Sequence, residues 1–307
     1  MNPILIQFKC RLTQPFHSRG HQYSNLYTTS DWILGSTLRG AKLRALIDHH
    51  CTRIKELQND NPDYHEKCDA ICPIRDLFFP PTRVSFGFFD RKSGKGMRNR
   101  IGIDRHTSSV AEGMLLSMEI WQYGVFTFNI MLPSDDENLR KLVCCAVKEV
   151  GERPDDIGIG GFRGIGFGKF ELIGEPEVTE FTAPDVENTD CILTFELKTP
   201  YVLDPKEGGS ISRDKMTCDL KKASSPEEPP EFKIEENIKV NPKGISYIRR
   251  WSDETKQKLN SVVLDPGSTI TVTFDKPIPE KYLQLWQWGI GKWWDRGFGS
   301  FFVVERK

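Results

Sequence analysis

Hydrophobic and polar positions alternate along residues 4–12 (ILIQFKCRL) and 125–132 (VFTFNIML). A period of two predicts β-strands with one buried face. The pattern returns at 191–199 (CILTFELKT) and 268–274 (STITVTF). Helical spacing predicts helices from Glu137 to Val150 and from Glu280 to Trp288. Turn signals stand at Tyr123-Gly124 and Asp265-Pro266-Gly267, each after an apolar run, Leu115 to Trp121 in one case and SVVL in the other. The two halves thus share one order: opening strand, hairpin, helix.

Both halves then close on nearly the same words. Residues 158–172 read GIGGFRGIGFGKFEL and residues 289–303 read GIGKWWDRGFGSFFV, identical at seven of fifteen positions without gaps. An internal repeat outranks any local motif as a guide to architecture. Here it predicts an α+β protein built as two tandem ferredoxin-like (RRM-like) domains, each ending in helix, glycine loop and strand. The expected domains are 1–180 and 188–307, divided within a Glu-, Pro- and Thr-rich stretch at 175–190. A polar segment at about 205–244 reads as a mobile insertion in the second.

Composition narrows the chemistry. A chain of 307 residues with 38% hydrophobic content suits two cores. The net charge of −1 gives no overall field for nucleic acid, so any such binding rests on local patches. No membrane-length apolar run and no signal-peptide pattern occur, and the eight irregularly spaced cysteines read as reduced thiols, which places the expected compartment in the cytoplasm.

Glycine runs allow positive φ and can present successive backbone N–H groups to an anion. This makes Gly160, Gly161, Arg163, Gly164 and Gly166 one candidate phosphate seat, and Gly291, Lys292, Trp293, Arg296 and Gly297 another. For a single such loop a tight turn with no ligand is the favoured reading; the repeat shifts the balance toward function. Neither loop ends in Gly-Lys-Ser/Thr, and each follows a helix rather than a strand, so P-loop and dinucleotide fingerprints are excluded. Phe167, Phe170, Phe298 and Phe301 read as packing residues. Trp293 and Trp294 are candidates for base stacking.

Two further stretches carry positive charge. In GSTLRGAKLRAL (35–46), Ser36 or Thr37 is placed to cap a helix whose start Arg39, Lys42 and Arg44 surround. Residues 91–105 hold six cations, Arg91, Lys92, Lys95, Arg98, Arg100 and Arg105, against Asp104. Interspersed glycines make this run read as a mobile loop suited to phosphodiester contact, or simply as a solvated one.

The order Gly35-Ser36-x-Leu38-Arg39-Gly40-Ala41, Cys72-Pro73 before Leu77-Phe78, Ile103-Asp104-Arg105-x-Thr107, AEGMLL at 111–116 and then a glycine loop resembles the RAMP superfamily of CRISPR effector proteins. The likeness spans nearly the whole chain; Ser108 departs from it, where the family has Gly. Two glycine loops in one chain look most like the subunit of type III-D complexes that caps the 5′ handle of the crRNA. That resemblance implies crRNA along Ser36, Arg39 and the loop after Asp104. It also implies the large Cas subunit and RAMP backbone subunits as partners, with target RNA met indirectly. Related proteins carry a zinc knot before the Leu-Phe sequence, so Cys51 (or His50), His65, Cys68 and Cys72 form a candidate zinc set, with free thiols the open alternative. Relatives that cleave RNA use a loop aspartate or a histidine base. Asp31 and His21 are the candidates for a backbone or processing endoribonuclease, which is the rival to a non-catalytic binding role.

Overall fold

In the computed structural model the described residues are 3–23, 26–50, 82–103, 110–152, 158–161, 166–180, 191–203, 211–224, 231–235, 238–252 and 257–306. The chain divides into two compact units, Met1–Glu180 and Phe181–Lys307.

The first unit runs β1 (Ile4–Leu12), β2 (Arg19–Tyr23), β3 (Leu26–Thr29), β4 (Trp32–Ile33), α1 (Gly35–His50), β5 (Arg83–Val84), β6 (Gly87–Phe89) and β7 (Gly94–Ile103). It continues through β8 (Val110–Tyr123), β9 (Val125–Leu132), α2 (Glu137–Glu152), β10 (Phe170–Leu172) and β11 (Glu177–Glu180). One sheet has the order β10-β1-β9-β6-β4, with β5 also on β9 and β11 on β1, and every pairing is antiparallel. Taken as fourth, first, third and second strands, this is the ferredoxin-like order. A second sheet, β2-β3-β8-β7, is inserted before β9.

Alternation along β1 explains the core. Ile4, Ile6, Phe8, Cys10 and Leu12 are buried, as are Phe126, Phe128 and Ile130 on neighbouring β9. Val143, Ala146, Val147 and Val150 of α2 and Leu38, Ala41 and Ala45 of α1 join the same cluster. Phe8 stacks on Phe128 with centroids 5.1 Å apart. Each such large side chain contributes roughly 1.5–3 kcal/mol on burial.

The second unit repeats the scheme: β12 (Ile192–Leu197), β13 (Tyr201–Val202), α3 (Arg213–Ala223), β14 (Lys239–Asn241), β15 (Ile245–Ser252), β16 (Gln257–Leu264), β17 (Thr269–Thr273), α4 (Glu280–Gln287), a 3-10 turn (Trp294–Arg296) and β18 (Phe301–Arg306). Its main sheet, β14-β17-β12-β18, again gives the second, third, first and fourth strands of a ferredoxin-like fold. The hairpin β15–β16 occupies the chain position that β7–β8 holds in the first unit. Trp286 is fully buried and donates from Nε1 to Ser224 Oγ at 2.9 Å.

Three local expectations change. Residues 94–103 form a strand paired along β8, with register shifts after Gly94 and after Ile101, rather than a mobile loop, because that partner satisfies its backbone. Within 205–244, residues 213–223 are α3, whose Met216, Leu220 and Ala223 enter the second core. Helix α1 starts at Gly35, and Leu34 O accepts from Thr37 N and Leu38 N. Ser36 and Thr37 therefore lie in its first turn rather than at its cap.

Candidate nucleic-acid interface

The two glycine corners are built on one plan. Gly168 N donates to Pro15 O at 2.7 Å, and Gly299 N donates to Pro200 O at 2.9 Å. Ile159 N bonds Gly168 O at 3.0 Å, and Ile290 N bonds Gly299 O at 3.3 Å. Thr13 and Gln14 donate to Lys169 O, as Lys198 and Thr199 do to Ser300 O. The repeat therefore reaches back to the end of each first strand, where Leu12-x-x-Pro15-Phe16 matches Leu197-x-x-Pro200-Tyr201. That pairing was present in the sequence as a signal, and it extends the repeat beyond its glycines.

An aromatic ring forms the floor of each corner. Gly160 and Gly291 both have φ +82°. A Cβ on Gly160 would meet Phe16 Cε2 at 2.5 Å, and one on Gly291 would meet Tyr201 Cε2 at 2.7 Å. Both features demand glycine, so part of the repeat's conservation between halves is a packing requirement. Phe167, Phe170, Phe298 and Phe301 are buried beneath the loops.

What each corner offers a ligand differs. In the first, Gly161 N is taken by His17 O at 2.8 Å, and buried His17 shares a 2.9 Å hydrogen bond between its Nδ1 and Glu119 O. In the second, Gly291 N and Lys292 N make no hydrogen bond among the described residues. Two consecutive free N–H groups beside a left-handed residue form an anion-binding concavity. Lys292 is exposed there, with its Nζ 5.4 Å from the centre of the Trp293 ring. Trp293 has φ +63°, a strained conformation for a bulky residue, and its ring meets Phe298 edge-on. Trp294 packs against the second core. Gly297 is buried at φ +76°, and Arg296 is two-thirds buried with Nε 3.9 Å from Asp295 Oδ2.

In the first unit, cations approach the corner along β7. Arg98 is exposed, and its guanidinium lies 5.2 Å from the centre of the Phe167 ring, directly beside the glycine loop. Arg91 and Lys92 are exposed at the turn that leads into β7, and Arg100 sits on β7 opposite Leu116. Lys95 is already engaged. It pairs with Asp31 at 2.6 Å and Glu119 at 3.6 Å, donates to Thr29 O at 3.3 Å and lies 5.1 Å from the Trp121 ring centre.

The helix start contributes less than its composition suggests. Ser36 and Arg39 are half-buried. Lys42, expected as a surface cation, is 2% exposed. Burial, with Arg39 beside it, pushes its ammonium down to about 7. It faces the interior and is withdrawn from any phosphate surface.

The sequence pattern of one known family, the RAMP superfamily, matches residues 9–171, more than half of the chain. The chain belongs to this superfamily of CRISPR-associated proteins. Among curated proteins none matches. Among solved structures, a chain of the cryo-EM structure of the type III-B Cmr-beta bound to cognate target RNA and AMPPnP is similar at 10% identity. Its TM-score is 0.46, over 87% of this chain and 86% of that one.

Other candidate residues of this RAMP protein are placed as follows. Asp31 is exposed at the end of its ion pair with Lys95. His21 lies on β2, and only its backbone is described. Arg105, Arg163, Gly164, Cys51, His65, Cys68 and Cys72 lie outside the described residues. Among the described residues no group of three His, Cys, Asp or Glu could hold a metal ion, and no helix is long and apolar enough to cross a membrane. Gly166, with φ +90°, has nothing within 4 Å of an added Cβ among the described residues.

Proposed function

We propose that this RAMP protein is a non-catalytic crRNA-binding subunit of a type III effector complex, holding the 5′ handle and seeding assembly. The observation that carries this reading is the second corner: two backbone N–H groups with no partner among the described residues, an exposed lysine and a strained tryptophan lie within three consecutive residues. Amides and the ammonium suit a phosphate, and the indole suits a base. The strand β7 supplies the first unit's counterpart, with Arg98 against the glycine loop. The family resemblance supplies the partners, namely crRNA, the large Cas subunit and RAMP backbone subunits, with the cytoplasm as the compartment. Structural zinc on Cys51, His65, Cys68 and Cys72 belongs to the same proposal.

The test is purification of the assembled complex followed by extraction of nucleic acid. Short RNA with a uniform 5′ end is the expected product, and RNA-free assembled complex would count against the reading. The rival endoribonuclease rests on the exposed Asp31 carboxylate beside Lys95. Incubation with target and precursor RNA, with and without divalent metal, should give no cleavage. Cleavage lost in Asp31→Ala or His21→Ala would replace binding by catalysis.

A further inference from the structure

The second corner differs from the first in what lies under it. Where the first has Phe16, the second has Tyr201, fully buried, with its hydroxyl donating to Asp219 Oδ2 at 2.5 Å. Lys215, one helical turn before Asp219 on α3, donates from Nζ to the same oxygen at 2.8 Å. Asp219 is 7% exposed, and the Lys215 side chain 13%. The Lys215 ammonium also lies 5.4 Å from the centre of the Tyr201 ring. That oxygen stands 3.3 Å from the position of a Cβ on Gly291. A carboxylate thus sits directly beneath the residue whose N–H begins the proposed phosphate seat.

Left alone, this carboxylate would repel any anion resting on the corner, and more strongly at this depth than in water. Lys215 cancels its charge at hydrogen-bond distance, and the Tyr201 hydroxyl takes up a further share of its electron density. The same two bonds fix the Tyr201 ring, against which Gly291 is packed.

Building on the proposed RNA role, we infer that Lys215 and Tyr201 are positioning residues that neutralise and hold Asp219 so that the second glycine corner accepts a nucleic-acid phosphate. Neither Lys215 nor Asp219 needs to touch the RNA. The first unit lacks the hydroxyl and holds its corner by the Gly161-to-His17 backbone bond instead.

Neutralising each charge alone and both together separates this from a purely structural network. The probe is a fluorescein-labelled single-stranded oligouridylate, titrated by anisotropy against the full chain at fixed salt, with a thermal melt of each RNA-free variant. Asp219→Asn keeps the shape and removes the charge, so affinity stays equal to wild type or tightens. Lys215→Met leaves the carboxylate uncompensated and weakens binding about tenfold, the effect of one unit charge at several ångströms in partly screened surroundings. Lys215→Arg stays within about threefold of wild type, since a guanidinium also pairs with the carboxylate. Lys215→Met combined with Asp219→Asn returns to near wild type. A network serving stability alone predicts instead that Asp219→Asn lowers both melting temperature and affinity. That result, or a double variant as weak as Lys215→Met, overturns the inference. If Lys215→Met fails to fold, Asp219→Asn decides by itself. A wild-type chain that binds no RNA would sink the proposed function, whereas RNA binding weakened by Arg98→Ala but also by Asp219→Asn sinks only this inference.

Discussion

Gly160 and Gly166 allow backbone strain and side-chain collision to be measured separately. Both have left-handed φ, +82° and +90°. A Cβ on Gly160 would lie 2.5 Å from His17 O and 2.5 Å from Phe16 Cε2, whereas one on Gly166 meets nothing within 4 Å among the described residues. Gly166→Ala should therefore cost only the conformational penalty of a non-glycine residue in that region, roughly 1–2 kcal/mol. Gly160→Ala adds displacement of a fully buried ring and a backbone carbonyl, about 1–3 kcal/mol more by comparison with overpacked cores. The expected losses are thus roughly 1–2 kcal/mol against roughly 2–5 kcal/mol. Urea unfolding followed by tryptophan fluorescence reads both, with Trp121, stacked on Phe89, as a reporter inside the first unit. Equal losses for the two variants would refute the claim that the aromatic floor makes Gly160 obligatory.

Arg98→Ala should weaken oligoribonucleotide binding across sequences and lower the slope of log affinity against log salt by about one, as loss of one phosphate contact requires. Lys42 carries a pH signature. Its folded-state value, about 7, lies below the ordinary 10.5, so the unfolded chain binds the extra proton between these values. Stability from this group therefore rises as pH goes from about 7 to 10.5, and its burial cost is fully present below about 7. Lys42→Met should remove that rise and be the more stable protein at pH 6, which denaturant titrations at pH 6 and 9.5 measure; an unchanged pH difference would contradict the placement. Exposed Cys145 and Cys218 should alkylate in the native protein, while Cys10, whose thiol burial pushes far up, should react only on unfolding, as peptide mass mapping with iodoacetamide can show.

Much of the framework was legible because its signals are local. Strict alternation marked β1, β9 and β17, and helical spacing marked α2 and α4 close to their observed ends. Pairing between distant segments was not legible. The run from Gly94 to Ile103 looked like a loop because Lys, Arg, Asn and Gly dominate it, and only β8, joined register by register, makes it a strand. Helix α3 was hidden for a related reason: three apolar residues suffice to anchor it, and Arg, Asp, Lys, Thr and Cys fill the rest. Cys145 is exposed and Cys144 half-buried, because the buried stripe of α2 runs through Val143, Ala146 and Val147.

The glycine corners were visible at once as a repeat, yet their division of labour was not. Positive φ and the rings of Phe16 and Tyr201 account for Gly160 and Gly291 without any ligand. The proposed functional content lies in neighbours with no motif of their own: the N–H groups of Gly291 and Lys292, unpartnered among the described residues, and the Tyr201–Asp219–Lys215 network under them. Buried Lys42 shows the converse, since composition places a cation at the helix start and packing takes it inside.

The most direct test of RNA seating on the glycine corners is equilibrium binding of a labelled oligoribonucleotide to wild type and to Lys292→Ala/Trp293→Ala. The account predicts salt-sensitive binding to wild type and a marked loss in the double variant, with its RNA-free melting curve little changed. Binding that is indifferent to salt and unaltered by removing both side chains would contradict it.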